Sequence, residues 1–330
     1  MPLPDLRLAI LVLLPLSLGV TTLPAAALTA EQVDGARFED QKRQPGKGLD
    51  PFIVKAQVLL SRRSISPGQI DGRDGDNLRK AVAQFRRQEG LGEGDKIDRQ
   101  TWQRLGGEEA QSIVTEYRLS QKDASYRFAR RIPSDYAKQA RMKRLSYLGP
   151  AEMLGERFHM SPELLKELNP GKDFDEADTA IAVVSPERSL EKGSAKRIEI
   201  VKSTGMVLVL GDADRILASY PATIGSADMP SPAGDHTIER VVRNPDYTYN
   251  PEKNFQQGRN TEILRLPPGP NGPVGTVWIA LSQPTFGIHG TPEPSKVSKT
   301  NSHGCVRLTN WDAEELAELA RPGVPVRFLD

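Results

Sequence analysis

The spacing of apolar residues changes near Ala195, and this change constrains the fold of the 330-residue chain more than any other feature. Beyond it, short runs rich in β-branched residues alternate with turns made of Gly, Ser, Thr and Asp, which is typical of β-strands. We therefore expect a mainly-β domain over residues 195–330, interrupted by long loops. The expected elements are strands at 197–202, 206–210, 215–222, 234–242, 277–281 and 324–328, loops at 229–234, 244–254 and 266–275, and a helix at 312–319.

Residues 51–106 carry apolar side chains at the three- and four-residue spacing of amphipathic helices. One pattern begins at Ile53, a second begins at Leu78, and a turn-rich loop separates them. A third short helix is expected after Asp98, because Asp is favoured at helix N-caps. The segment is predicted to be a small helical bundle.

Two further segments separate this bundle from the β domain. Residues 107–145 are highly charged and are expected to form a helical connector, with helices at 112–118 and 136–145. Residues 146–186 are expected to form a small α/β unit. Its expected elements are a helix at 150–158, a helix starting after Ser161, and a strand at 180–184.

The chain begins with a pattern typical of an export signal. Arg7 precedes an apolar run at 8–20, and a small-residue cleavage site follows before residue 27. Thirteen apolar residues interrupted by Pro15 are short for a bilayer-spanning helix, which argues against a membrane anchor. We expect residues 1–27 to be a signal peptide, 28–50 to be a flexible linker, and the mature protein to lie free of the membrane.

The charge balance argues against a nucleic-acid partner. The 44 Lys and Arg residues are matched by 43 Asp and Glu residues, which gives a formal net charge of +1. Proteins that bind nucleic acids generally carry a clear basic excess.

The chain contains one cysteine, Cys305, in a Gly-rich stretch at 286–308 that also holds two of the four histidines. An exported protein meets an oxidising compartment, where structural cysteines come in pairs. A single cysteine cannot form an internal disulfide, and its polar, flexible neighbours do not resemble a core strand. These observations favour a reactive thiol.

A reactive thiol needs a proton acceptor, and His289 could return to Cys305 across the intervening loop. His303 would point away from Cys305 in an extended chain, so we expect it to shape the site by hydrogen bonding. The backbone N–H groups of Gly304 and Cys305 are candidate oxyanion donors. Arg307 would share the side of Cys305 and could bind a substrate carboxylate.

Residues 288–291 (IHGT) and 302–308 (SHGCVRL) resemble the motifs of the YkuD-type L,D-transpeptidase family. The resemblance covers residues 196–329 and includes further motifs in order, at 231–234 (SPAG), 244–245 (NP), 267–273 (PPGPNGP) and 323–326 (GVPV). It implies a β-rich fold in which Cys305 is the nucleophile and His289 accepts and donates the proton.

The same resemblance implies roles for the remaining motif positions. Those expected to be catalytic are Cys305, His289, His303 and Gly304, and those expected to bind substrate are Arg307, Ser302 and Gly290. Because Gly290 has no side chain to orient the base, a backbone carbonyl or Ser302 must do so. No cofactor or metal is implied.

The implied substrate is the peptide stem of peptidoglycan, cut after its third residue with release of D-Ala. The acyl group would pass to an amine of a second stem, giving a 3→3 cross-link, or to a lipoprotein. The implied location is a Gram-negative-type periplasm, in association with the cell wall.

The two N-terminal units resemble cell-wall-binding modules. Residues 51–106 are similar to the three-helix peptidoglycan-binding domain. Residues 146–186 resemble a LysM module, although the opening strand of that module and its usual Gly-Asp are missing. The whole chain is thus expected to be multidomain, with a helical peptidoglycan-binding-like bundle, a LysM-like α/β segment and a mainly-β L,D-transpeptidase domain.

Three alternatives remain open from the sequence. His289, His303 and Cys305 are chemically reasonable zinc ligands, although no acidic general base accompanies them at a typical spacing. Water could replace the amine acceptor, which would make the protein an L,D-carboxypeptidase or endopeptidase. The chain could also be a non-catalytic cell-wall tether.

Overall fold

The computed structural model describes residues 28–39, 48–110, 112–186, 190–225, 229–253, 255–300, 302 and 304–330. The predicted signal peptide, residues 1–27, lies outside the described residues, as do residues 40–47 of the predicted linker. Among the described helices, none combines the length and apolarity needed to cross a membrane.

The helical bundle contains α1 (Ala30–Asp34), α2 (Pro51–Arg62), α3 (Asp76–Gln88) and α4 (Arg99–Leu105). The three predicted helices are confirmed, including the cap at Asp98, whose side chain accepts a hydrogen bond from the Thr101 N–H. Phe52 and Trp102 stack at 4.4 Å between ring centroids and form the aromatic centre of the bundle.

The prediction of a flexible linker is wrong for the part that contains α1. Thr29 and Gln32 form a capping box at its start, and Val33 is fully buried. The Lys55 ammonium donates to the carbonyl oxygens of Asp34 (2.8 Å) and Ala36 (3.1 Å). This segment is therefore part of the bundle core.

A second unit contains β1 (Val114–Arg118), α5 (Gln121–Ala124), α6 (Tyr136–Gln139), α7 (Pro150–Arg157), α8 (Pro162–Glu167) and β2 (Ala180–Val184). β1 and β2 pair antiparallel. The prediction of a helix at 112–118 is wrong, since these residues supply β1. Its sequence, VTEYR, alternates β-branched or aromatic residues with polar ones, and this period of two favours a strand.

β1 precedes the helices of this unit and lies within the predicted connector. The unit runs from β1 to β2, so its boundaries are wider than the predicted 146–186. The segment between β1 and α7 is inserted into a β-α-α-β arrangement. The LysM-like resemblance itself stays a prediction.

The two N-terminal units share one hydrophobic core, which extends from Leu28 to Val184. Backbone hydrogen bonds also join them, because the Ile70 N–H donates to the His159 carbonyl and the Ser161 N–H donates to the Ile70 carbonyl, both at 2.8 Å. The units therefore form one continuous accessory body.

The β domain contains strands and one long helix, α9. Its elements are β3 (Arg197–Val201), β4 (Met206–Leu210), β5 (Ile216–Pro221), β6 (Gly234–Arg243), β7 (Tyr247–Tyr249), β8 (Leu264–Leu266), β9 (Val277–Leu281), β10 (Gly287–His289), β11 (Val306–Arg307), α9 (Asn310–Leu319) and β12 (Pro325–Leu329). Among the described residues, eight of these strands form one sheet in the order β11-β10-β9-β6-β12-β3-β4-β5. β7 and β8 pair as a separate hairpin, and neither strand was predicted, since β7 lies within the predicted loop 244–254 and β8 ends at the first residue of the predicted loop 266–275.

The sheet is curled so strongly that its two ends meet. Thr223, just after β5, exchanges two backbone hydrogen bonds of 2.9 Å with Arg307 in β11. α9 packs against β9 and β10, and its Leu316 and Leu319 are fully buried. The N-terminal end of α9 is therefore fixed beside the strands that carry the sequence motifs.

The accessory body is docked on the edge of the sheet. The Ser66 N–H donates to the Ser219 carbonyl in β5, and the Ser219 N–H donates to the Ser64 carbonyl, both at 2.9 Å. These bonds cover an edge strand that would otherwise expose unpaired backbone groups. At a second contact, the Leu145 N–H donates to the Pro268 carbonyl at 3.0 Å.

Candidate active site

The strands β10 and β11 bring His289 and Cys305 together. They are parallel neighbours in which Ile288 pairs with Val306 and His289 pairs with Arg307. Ile288 and Val306 are buried in the core, so the alternating side chains of His289 and Arg307 share the opposite face. Cys305 directly precedes β11, and the register of the two strands places it opposite Gly287 of β10. The thiol and the imidazole are thus diagonal neighbours on one face.

The imidazole of His289 is held in one tautomer. Its Nδ1 lies 2.7 Å from the Gly290 carbonyl oxygen, and because a carbonyl only accepts, Nδ1 carries the proton. The Nε2 atom is then the proton acceptor of the ring. Trp278 stacks on the imidazole with 5.5 Å between ring centroids and an interplanar angle of 22°. The imidazole of His289 is therefore oriented by a backbone carbonyl, which is one of the two options the sequence left open.

Burial sets the resting charge of both groups. It lowers the pKa of His289 to about 4, with a smaller contribution from the positive charge of Arg307. Protein atoms packed around the sulfur raise the pKa of the Cys305 thiol, against the opposing effects of the Gly287 N–H and Arg307. At neutral pH the site therefore holds a thiol and a neutral imidazole rather than an ion pair.

The Ser302 hydroxyl makes its described hydrogen bonds within the turn that carries Cys305 and not with the His289 imidazole. Its hydroxyl donates to the Cys305 carbonyl oxygen (2.5 Å) and accepts from the Gly304 N–H (3.2 Å). Gly304 has φ of +100°, and a Cβ there would lie 2.7 Å from the Phe286 ring. This position requires glycine.

The hydrogen bond to Ser302 also corrects one expectation. Because the Gly304 N–H is directed at the Ser302 hydroxyl, it is not a free oxyanion donor in this conformation. No described residue accepts a hydrogen bond from the Cys305 N–H, which leaves it as the candidate donor.

Asn310, the first residue of α9, packs closely against the backbone of Gly290. A Cβ on Gly290 would lie 2.2 Å from the Asn310 side-chain oxygen, which explains the glycine. The Asn310 amide donates to both carboxyl oxygens of Glu156 in α7, at 3.0 and 3.1 Å. Its oxygen accepts from the Thr276 N–H at 3.2 Å. A residue of the accessory body is thereby connected to the backbone that orients the base.

An aromatic cluster lies beside the thiol. Tyr136 of the connector packs edge-on against Tyr247 (6.1 Å), Tyr249 (5.4 Å) and Phe255 (6.2 Å). Burial raises the pKa of Tyr247, and the neighbouring Tyr136 and Cys305 raise it further. The β7–β8 hairpin thus lies close to the Cys305 thiol, and Tyr136 of the connector packs against the hairpin.

A cleft of about 480 Å³ opens between this hairpin and the sheet. Tyr247, Trp278 and Thr285 line it, and the Cys305 sulfur lies 3.8 Å from the Thr285 carbonyl oxygen. Two of its lining residues thus contact the candidate pair, because Trp278 stacks on His289 and the Thr285 carbonyl lies near the Cys305 sulfur.

Comparison with known families identifies the domain. A model of the YkuD family, described as an L,D-transpeptidase catalytic domain, matches residues 195–327. Residues 195–327 form a YkuD-type L,D-transpeptidase catalytic domain. A second model, "Putative peptidoglycan binding domain", matches residues 50–105 and confirms the prediction for the helical bundle.

Curated relatives of the L,D-transpeptidase domain carry the same name. "Putative L,D-transpeptidase YkuD" of Bacillus licheniformis is 27% identical over 175 residues, covering 53% of this chain and 90% of its own length. The protein of that name in Bacillus subtilis is 30% identical over 119 residues, covering 36% of this chain and 57% of its own length. "Probable L,D-transpeptidase ErfK/SrfK" of Escherichia coli is 25% identical over 185 residues, covering 55% and 59%. The last two are therefore matched over less than two thirds of their lengths.

A solved L,D-transpeptidase from Mycobacterium smegmatis is 17% identical, covers 46% of this chain and 64% of its own, and gives a TM-score of 0.34. A similarity this distant transfers no residue roles.

His303, the remaining predicted site residue, lies outside the described residues. Within the part of the chain that the structure describes, no group of three or more His, Cys, Asp or Glu side chains could hold a metal ion. The zinc alternative includes His303 and is therefore not tested by this geometry.

Sequence reasoning missed three residues around the L,D-transpeptidase site. Trp278 and Asn310 are distant from the motifs in sequence, and Tyr136 belongs to a different unit. The strand VWIAL gives no sign that its tryptophan stacks on a histidine. The helix predicted at 312–319 begins two residues earlier, at Asn310, and the favoured N-cap residue Thr309 was the unused signal for this start.

Proposed function

We propose that this protein is an exported cysteine acyltransferase that cuts an L–D peptide bond in a peptidoglycan stem and transfers the acyl group to an amine. The observation that carries the proposal is the placement of Cys305 beside a buried His289 whose Nδ1 is engaged by the Gly290 carbonyl. This arrangement leaves one ring nitrogen to exchange a proton with the thiol.

In the acylation step, the Cys305 sulfur attacks the carbonyl carbon of the L–D bond while His289 accepts the thiol proton. The tetrahedral oxyanion is stabilised by the Cys305 N–H. The C–N bond then breaks, and His289 returns the proton to the departing amino group of D-Ala. The products are a thioester on Cys305 and a free D-amino acid, so atoms and charge balance.

In the transfer step, the acceptor amine attacks the thioester carbonyl and gives a proton to His289. The C–S bond breaks, and the proton returns to the Cys305 sulfur. A new amide joins donor and acceptor, and the enzyme regains its resting thiol. No cofactor or metal is needed in either step.

Burial of both reacting groups suits this chemistry. A neutral thiol and a neutral imidazole carry no charge before the substrate binds. The thiolate therefore forms only as the sulfur attacks the carbonyl carbon. Arg307 lowers the pKa of both groups and supplies a positive charge near the reacting atoms. It is the proposed partner of a substrate carboxylate.

The accessory body supports peptidoglycan as the substrate. The L,D-transpeptidase domain adjoins a bundle that matches a peptidoglycan-binding family. With export through residues 1–27, the enzyme would reach cell-wall polymer in the periplasm. The proposed acceptors are an amine of a second peptide stem and an amine of a lipoprotein.

Intact-protein mass spectrometry tests the acylation step. Incubation with a tetrapeptide stem is expected to add the mass of the stem minus D-Ala to the protein, but not to Cys305→Ala. An amine acceptor should then remove the adduct. If wild type gains no adduct, or if Cys305→Ala gains the same one, the proposal is wrong. Release of a tripeptide to water alone would favour the L,D-carboxypeptidase alternative.

A further inference from the structure

A second cavity of about 490 Å³ lies where α3 of the bundle meets the L,D-transpeptidase domain. The accessory body contributes Lys80 to its lining, and the β3–β4 turn contributes Lys202 and Gly205. It shares no described lining residue with the cleft beside Trp278.

This second cavity reaches the turn that carries the nucleophile. Gly225 and Pro230 line it, and Gly225 forms a parallel bridge with Ser302 of the Cys305 motif. A Cβ on Gly304 would lie 3.2 Å from the Pro230 carbonyl oxygen. A molecule in the cavity would thus approach the thioester from a side different from the Trp278 cleft.

The chemistry of the lining favours an anion. Hydroxyl groups of Ser203, Thr204, Ser231, Ser298 and Thr300 surround the two lysines, and no carboxylate lines the cavity among the described residues. Lys202 is paired with the Asp330 carboxylate at 3.0 Å, so Lys80 carries the positive charge of this lining that no described carboxylate neutralises. The side chains can donate several hydrogen bonds to an anionic oxygen beside it.

Lys80 is the central cation of this lining. Its ammonium donates to the Ser298 hydroxyl at 2.5 Å, and no described carboxylate lies within ion-pair distance of it. Burial lowers its pKa, with a smaller opposing effect from Asp76. A half-buried ammonium without a counterion is costly, and a bound anion would remove that cost.

The backbone next to Lys80 leaves room for its ammonium group, because a side chain at Gly205 would collide with it. Gly205 has φ of +65°, and a Cβ there would lie 2.9 Å from the Lys80 nitrogen. Asn77 in α3 donates to the Val297 carbonyl at 3.1 Å, which fixes the helix to the loop that leads to Cys305. The position of Lys80 is thus set by the docking of the accessory body.

We propose that this cavity, called here the Lys80 pocket, binds a carboxylate of the acceptor. The inference rests on the proposed transfer reaction and specifies its acceptor class, an amine that carries a carboxylate close by. A free amino acid and the amino-acid end of a stem side chain both have this chemistry. Water and simple amines lack it, so the pocket would favour transfer over hydrolysis.

The first test compares a D-amino acid with its primary amide as acceptors, because the two differ only in the carboxylate. Acyl-enzyme is formed on wild type, Lys80→Met and Lys172→Met, which changes an exposed lysine outside the pocket, and its discharge rate is measured by intact mass. Wild type and Lys172→Met should discharge to the acid at least about tenfold faster than to the amide, the effect of one charge-assisted hydrogen bond. In Lys80→Met the ratio should approach one. The proposal is overturned if wild type shows no preference, or if Lys80→Met keeps it.

A second measurement separates failure of this inference from failure of the proposed function. Cys305→Ala, with and without Lys80→Met, is titrated by calorimetry with a stem tripeptide that ends in diaminopimelate. Loss of Lys80 should weaken binding by about tenfold. If wild type forms no acyl-enzyme, the proposed function fails and this titration alone tests the Lys80 pocket. Equal affinities of the tripeptide for the two variants would overturn the pocket. Comparing the affinities of a D-amino acid and of the tripeptide also shows which of the two acceptors, a free amino acid or the end of a stem side chain, the pocket binds more tightly.

Discussion

The Nδ1 atom of His289 lies 2.7 Å from the carbonyl oxygen of Gly290, the next residue in the chain. The base is thus oriented by its own neighbour, without a carboxylate partner. Asn310 packs against Gly290, and Asn310 is hydrogen-bonded to Glu156 of the accessory body. The proposed catalytic base therefore depends on contacts that cross from one unit of the chain to another.

The pH dependence of acylation should reflect the buried state of His289. Its pKa is lowered to about 4, so the imidazole remains neutral and able to accept a proton at every pH above that value. The acid limb of kcat/KM for a stem tetrapeptide should therefore lie near pH 4. A limb near pH 6.5, the ordinary histidine value, would show that the ring is not buried as described.

The lowered pKa of His289 also makes the free energy of unfolding depend on pH. Because its pKa is lower in the folded state, the unfolded chain binds the proton first as pH falls from 6.5 towards 4. His289 should therefore cost up to about 3 kcal/mol of unfolding free energy across that window. Denaturation of wild type and His289→Gln at pH 7 and pH 4.5 measures this, since the variant lacks the titration.

Ser302→Ala should slow acylation by about 10- to 100-fold, because the hydroxyl holds both the Cys305 carbonyl and the Gly304 N–H in the turn. The effect should be on kcat, since the substrate cleft itself is unchanged. Ser295→Ala, an exposed serine in the same loop, is the matched control. Equal rates for wild type and Ser302→Ala would show that the turn does not need this side chain.

Glu156→Gln tests the contact between α7 and α9. Burial raises the pKa of Glu156 to about 8, against the effect of the Asn310 hydrogen bonds. The folded state therefore keeps the proton between pH 4.5 and 8 while the unfolded state loses it, so wild-type stability falls across this range as pH rises. Relative to wild type, Glu156→Gln should gain up to about 5 kcal/mol of unfolding free energy between pH 4.5 and pH 8. The exposed Glu239→Gln should show no such gain, and a pH-independent difference for Glu156→Gln would contradict the account.

Tyr136→Ala should loosen the β7–β8 hairpin, because Tyr136 contacts three aromatic rings there. Removing a partly buried ring is expected to reduce local stability by about 2 kcal/mol. Hydrogen exchange of β7 and β8 measures this directly, and Tyr136→Phe should restore the protection. Unchanged exchange in Tyr136→Ala would show that the connector does not support the hairpin.

The sequence predicted the long, regular elements well. β4, β9 and β2 have the predicted boundaries, and the third bundle helix begins after the predicted N-cap at Asp98. These elements follow local rules, such as the period of two in strands and Asp at an N-cap. The L,D-transpeptidase motifs singled out Cys305 and His289, although the two short strands that bring them together were not predicted.

The errors came from context that lies far away in sequence. β1 was predicted as a helix because charged residues near it suggested a solvated helical face, yet β1 is stabilised by pairing with β2, more than sixty residues later. β10 and β11 contain three and two residues, too few for any periodic signal. Orientation of the base by Gly290, and the contacts of Asn310 and Tyr136, depend on tertiary packing that no local pattern encodes.

The most direct test of the account is mass spectrometry of products from purified mature protein incubated with a tetrapeptide muropeptide, with Cys305→Ala in parallel. The account predicts a dimer that has lost one D-Ala and is joined through the third residues, formed by wild type and absent with Cys305→Ala. Formation of the same dimer by Cys305→Ala, or no loss of D-Ala by wild type, would contradict it.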